Sequence, residues 1–161
     1  MGKSGAICQI VVGWVVITGE FTHSLDEKGR LMIPARMRAG ITGNVMILTR
    51  GVDACLWLFP TEEWRAISAH LMDSISPFQE KARLIQRWII APAQEAEVDR
   101  TGRLVVPQTL REYAGLKKEC RILGMLKYIE IWEDETYLTY LADNKDRFKE
   151  ATEELASRLT F

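Results

Sequence analysis

The chain has 161 residues, 47% of them hydrophobic and 27% charged, and its 21 Lys and Arg against 22 Asp and Glu leave a formal net charge of −1. That is the composition of a folded protein, which excludes long disorder and low-complexity architecture. Cys8, Cys55 and Cys120 are an odd number with no close pair, which gives neither a disulfide framework nor a zinc pattern and fits a reducing cytoplasm.

From the N-terminus, Ala6 to Ile17 is a nearly continuous apolar run preceded by Lys3. It is shorter than the roughly 20 apolar residues a spanning helix needs, and no small-x-small cleavage pattern follows it. It reads as an extra strand, or as residues added in front of a domain that begins near Gly19, dispensable for whatever the rest recognises.

Glu20 to Leu25 is predicted as a strand. Asp26-Glu27-Lys28-Gly29 is predicted as a tight turn in which Gly29 takes a positive φ and Asp26 bonds its own backbone. Leu31 to Ile33 continues as a short strand, Pro34 ends ladder pairing, and Ala35 to Gly40 forms one or two helical turns. Val45 to Thr49 and Cys55 to Phe59 are strands around a turn at Gly51-Val52-Asp53. A helix follows, with Thr61 as its N-cap and Trp64, Ile67 and Leu71 on one face. Ser76-Pro77 opens another, with Phe78, Ala82, Ile85 and Ile89 at helical spacing, ending at Ala91-Pro92.

The order then repeats. Leu25 to Pro34 and Val98 to Pro107 share Asp-x-x-Gly-Arg, a short apolar run and Pro, and the same offset pairs Arg38 with Arg111, Gly51 with Gly124, Glu62 with Glu135 and Trp64 with Tyr137. The closing helix runs from about Asp134 towards Leu159, with a break near Asp143-Asn144. Each half is too small to be comfortably stable alone, so the halves should pack on each other or on further subunits.

Acidity is gathered in the tail, where Glu133 to Phe161 carries twice as many acidic as basic residues, while Ser76 to Arg111 is net basic. The repeated loops present Lys28, Arg30, Arg100 and Arg103 as candidate DNA contacts, because long cations at a hairpin tip suit phosphate and a guanidinium can also read guanine in the major groove. Asp26, Gly29, Asp99 and Gly102 are the residues expected to structure the loops. A purely structural alternative has each Asp capping its turn and each Arg pairing with it. For Arg38 and Arg111 the simpler reading is a helix-surface position or a pairing with acids such as Glu112.

Catalysis is not expected. A dyad of equivalent carboxylates would need one to stay protonated, and a cation beside each opposes that. His23 and His70 have no Ser or Cys partner, and there is no Gly-rich phosphate loop. The aromatics Trp57, Phe59, Trp64, Tyr128, Trp132 and Tyr137 could stack single-stranded bases, but their alignment beside apolar strand residues favours a core.

With these residues in hand the chain resembles the bacterial MraZ family of transcriptional regulators, built from two SpoVT-AbrB-type repeats. The resemblance is carried by Gly19 to Leu31, by Leu56-Trp57-Leu58-Phe59 before Trp64, by Glu97 to Arg103 and by Leu110 to Leu116. It implies a β-rich α+β fold: duplicated swapped-hairpin β-barrels with flanking helices, assembled into a ring. It also implies DNA binding through Lys28, Arg30, Arg100 and Arg103 at tandem short repeats upstream of the division and cell-wall gene cluster.

The expected organisation is an N-terminal extension (1–18), a first repeat with its helix (19–75), a linker helix (76–91), a second repeat (92–140) and an acidic C-terminal helix (141–161). The expected partners are double-stranded DNA and further copies of the chain, with no membrane, cofactor, metal or small-molecule ligand, and the expected location is cytoplasmic and nucleoid-associated. The competing reading is a ring-forming scaffold whose basic loops bind an acidic protein.

Overall fold

A computed structural model describes residues 16–158. The first half contributes β1 (Glu20–Ser24), β2 (Arg30–Met32), a one-turn α1 (Ala35–Arg38), β3 (Val45–Arg50), β4 (Leu56–Pro60) and α2 (Thr61–Ser74). Next come α3 (Glu80–Ile85) and a π-helical turn over Gln86–Ile90. The second half repeats the plan with β5 (Gln94–Glu97), β6 (Arg103–Val105), α4 (Gln108–Ala114), β7 (Glu119–Gly124), β8 (Ile129–Glu133), α5 (Asp134–Asp143) and α6 (Lys145–Ala156).

The halves do not fold separately. The large sheet is antiparallel with strand order β1-β7-β8-β4-β3-β5, so each half's first strand lies on the other half's edge. A second, two-stranded sheet pairs β2 with β6, again across the halves. Leu31 faces Leu104 in the small sheet and Trp57 faces Glu130 in the large one. Both pairs are equivalent positions of the duplication, so a pseudo-two-fold axis runs through both sheets.

One apolar core serves both halves. It joins Leu31, Ile33 and Met37 to their counterparts Leu104, Val106 and Leu110, all 1% exposed or less. Burial of this kind contributes about 1.5–3 kcal/mol for each large side chain, which half a chain could not gather alone.

The architecture is β-rich α+β with flanking helices, but among the described residues the strands do not close into a barrel. β1 and β5 are the edges of the six-stranded sheet. The ribbon strands, three residues each and with Pro34 and Pro107 two positions past their ends, are too short to bridge those edges.

Other local expectations shift for identifiable reasons. Thr61 does not cap α2. It is the first helical residue, and its hydroxyl donates to the Val45 carbonyl on β3 at 3.3 Å. Of the apolar positions expected along α3, only Ala82 is buried, and Phe78 lies before the helix at 93% exposure. The π turn arises where the buried Thr49 hydroxyl donates to the Ile89 carbonyl, while Ala91 N–H reaches back to Gln86. The break at Asn144 separates α5 from α6 as the sequence suggested. The apolar N-terminal run lies outside the described residues apart from Val16 and Ile17. Ile17 is 2% exposed and bridges Leu126 with both backbone bonds at 2.7 Å.

Candidate nucleic-acid interface

Each Asp-x-x-Gly-Arg loop is a closed turn. Asp26 N–H donates to the Arg30 carbonyl and Gly29 N–H to the Asp26 carbonyl, both at 3.0 Å. Asp99, Arg103 and Gly102 repeat the two bonds at 2.8 and 3.0 Å. Gly29 and Gly102 sit at φ +74° and +85°, where a Cβ would be strained.

The aspartates hold the loops through side-chain oxygens. Asp26 Oδ1 accepts from the backbone N–H of Lys28 and of Arg30, each at 2.9 Å, and Oδ2 accepts from Arg30 Nε at 2.7 Å. The Arg30 backbone bond is the main cause of a carboxyl held below its ordinary range. Asp99 Oδ1 accepts from the Thr101 hydroxyl at 2.6 Å and from the N–H groups of Thr101 and Arg103. Thr101, above all through that hydroxyl, brings the Asp99 pKa down to about 2.

The two arginines are not equivalent. Arg30 pairs with the aspartate of its own loop. Arg103 Nε instead donates to Thr101 Oγ1 at 3.0 Å, and its Nη1 reaches across to Asp26 Oδ2 at 3.6 Å. Both guanidiniums therefore converge on Asp26, each side chain about a third exposed. The Asp-caps, Arg-pairs reading and the cationic-surface reading coexist in the first loop. In the second loop Thr101 stands between the two: its hydroxyl donates to Asp99 Oδ1 and accepts from Arg103 Nε.

The ribbon presents these groups on one face. Along β2 and β6 the central leucines point inward, leaving Arg30, Met32, Arg103 and Val105 on the outer side. Lys28 and Arg100 stand exposed at the two turn tips. A two-stranded ribbon of this width fits the roughly 12 Å major groove of B-form DNA.

Arg38 and Arg111 have a role that neither simple reading supplies. Arg38 Nε donates to the Ile33 carbonyl at 2.8 Å, and its guanidinium packs over Gly102 of the opposite loop. Arg111 packs over Gly29 in the same exchanged way. Ile33 N–H donates to the Gly102 carbonyl and Val106 N–H to the Gly29 carbonyl, both at 2.8 Å. Each loop is thus braced by the other half. The aligned Arg pair was visible in sequence, but its partner glycine was not.

Most of the aromatics form packed structure. Trp132 and Phe59 are 2% and 1% exposed, and Tyr128 stacks on Phe59 at 5.2 Å. Cys55 and Cys120 are fully buried. Burial raises both thiols, that of Cys120 to about 12. Among the described residues no helix is long and apolar enough to cross a membrane.

Comparison with known proteins agrees with this duplicated plan. The MraZ protein family model, whose description carries an antitoxin-like label, matches residues 16–88 and again 89–159. The chain is 46% identical over 139 residues to a protein named transcriptional regulator MraZ from Treponema denticola, covering 86% of this chain and 96% of that one. Proteins of the same name from Treponema pallidum and Acetivibrio thermocellus are 44% and 40% identical, each over 86% of this chain and at least 93% of their own length. With both halves matched and relatives of this similarity spanned almost end to end, the chain belongs to the MraZ family, a family of transcriptional regulators and not of enzymes.

Proposed function

We propose that the chain is a sequence-specific regulator that binds double-stranded DNA through its two Asp-x-x-Gly-Arg loops. One observation carries this reading: Arg30 and Arg103, from different halves, share one outward ribbon face between the exposed tips Lys28 and Arg100. Lys28 and Arg100 contact phosphate and set the register, while Arg30 and Arg103 read base edges. Asp26, Gly29, Asp99 and Gly102 shape the loops.

The target is a set of tandem short repeats upstream of the division and cell-wall gene cluster. Each loop pair binds weakly, and copies of the chain joined in a ring engage neighbouring repeats at high effective concentration. The protein works in the cytoplasm, associated with the nucleoid.

The test is fluorescence anisotropy with the DNA upstream of the chain's own gene and a scrambled duplex of equal length, across a salt series. Specific affinity should exceed non-specific affinity by at least about a thousandfold and fall steeply with salt. Arg30→Ala combined with Arg103→Ala should abolish discrimination without disturbing assembly. Equal binding to both duplexes, or full discrimination by the double variant, overturns the reading.

A further inference from the structure

The duplication exposes a surface that has diverged between the halves. A groove of about 420 Å³ lies between α2 and the β7–β8 turn; its apolar lining is Phe59, Ala66, Ile67, Met125, Leu126 and Tyr128, and Glu63, His70 and Lys127 line it as well. Ile67, Met125 and Leu126 are 45%, 40% and 56% exposed, an apolar surface left open to water. In the equivalent groove of the second half, between α5 and the β3–β4 turn, Thr139 stands for Ala66, Tyr140 for Ile67 and Asp53 for Leu126, while Ala54 stands for Lys127.

The apolar groove is the one to which the chain's own N-terminal segment leads. Leu126, on the groove wall, is also the residue that Ile17 bridges, and Val16 beside it is 69% exposed. The residues just before it are Ile7-Cys8-Gln9-Ile10-Val11-Val12-Gly13-Trp14-Val15, without a charge among them. Nine residues reach up to about 30 Å, more than enough to follow the groove from its lip.

We propose that the groove is the docking site of this Ile7–Val15 segment within the same chain, and that Ala66, Ile67 and Leu126 are apolar because the segment covers them. At the three aligned positions the dyad-related groove carries Thr139, Tyr140 and Asp53 instead. Covering in cis keeps this apolar patch from recruiting other copies.

The segment carries its own probe. Cys55 and Cys120 are buried with raised thiols, which leaves Cys8 as the native cysteine the test uses. Ala66→Cys places a second thiol on the exposed face of α2, and Thr139→Cys places one at the equivalent point of the dyad-related groove. Each full-length variant is treated with a short bis-maleimide after co-refolding of isotopically light and heavy chains, and linked peptides are read by mass spectrometry.

The expected result is linkage of Cys8 to the α2 position at least about tenfold faster than to the α5 position, in light–light and heavy–heavy pairs only. Mixed light–heavy pairs would make the occupant a second copy and overturn the proposal. Equal rates at the two positions would do the same. Met125→Cys, on the opposite wall, repeats the measurement should the α2 variant fold poorly. Full-length protein sedimenting with phospholipid vesicles would identify a membrane as the occupant and overturn it too.

Discussion

Trp57 and Glu130 are the same position of the duplicated unit, and they face each other across β4 and β8, with the Trp57 indole donating to Glu130 Oε2 at 3.1 Å. In a symmetric pair of identical halves this position would meet itself. The duplication let one copy become a donor and the other an acceptor. Glu130 also accepts from Trp132 Nε1 at 3.1 Å and from the Cys55 thiol at 3.7 Å. A nearly buried glutamate is thus surrounded by donors at the point where the halves join.

Glu130→Ala should therefore destabilise the protein by about 2–4 kcal/mol, since it leaves two indole N–H groups without an acceptor. Glu130→Gln, which keeps one acceptor oxygen, should cost less. Urea unfolding at fixed protein concentration measures both, and an unchanged midpoint in the alanine variant would remove Glu130 from this role.

Gly102→Ala should damage the loop in two ways. The new Cβ sits at φ +85°, and it meets the Arg38 guanidinium at 2.6 Å. The conformational part alone costs about 1–2 kcal/mol. Displacing Arg38 also frees the Ile33 carbonyl it holds. Specific DNA affinity should fall more than thermal stability does, and an affinity equal to the unaltered protein's would show that the loop tolerates the shift.

The loops, the repeat and most strands were legible in the sequence because turn chemistry is local: Asp, Gly and Pro at set offsets dictate a closed hairpin whatever surrounds it. Exchange between halves is not a local pattern, and only the family resemblance, with its swapped hairpins, pointed to it. A 73-residue offset says that two units exist but not whether Leu31 faces Leu104 or a residue of its own half, since both choices bury the same apolar faces. The partners of Arg38 and Arg111 lie beyond local pattern for the same reason. Thr101, where the first loop has Lys28, marks the loops as unequal in the sequence, but that its hydroxyl bonds Asp99 is visible only in the structure.

Lys28→Ala and Arg100→Ala test the phosphate assignment. Each should weaken binding to specific and scrambled duplexes by a similar factor and lower the slope of log affinity against log salt by about 1. Loss confined to the specific duplex would move these residues into base reading.

Acid should open the second loop late. A carboxylate with a depressed pKa contributes stability that is complete above its unfolded value and lost as pH falls through the folded one. For Asp99 that window runs from the ordinary 3.8 down to about 2. Thr101→Val removes the largest cause, so the titration should move up towards 3.8. Carbon-detected NMR of the Asp99 carboxyl in the full chain follows this directly. A midpoint near 3.8 in the unaltered protein would mean that the Thr101 hydroxyl does not hold it.

Two N-terminal truncations should separate the fold from what precedes it. A chain starting at Val16 keeps Ile17 in the core and its bridge to Leu126, so it should fold and discriminate operator from scrambled DNA as the full chain does. A chain starting at Gly19 loses a side chain that is 2% exposed and two backbone bonds at the end of the β1–β7 ladder. It also strips Thr18 from its close packing on Gly124. The loss of a buried isoleucine alone costs about 2–5 kcal/mol. Thermal denaturation should place the second variant well below the first, while both bind a hydrophobic dye more strongly than the full chain because the groove beside α2 stands open. Equal melting temperatures for the two truncations would remove Ile17 from the core.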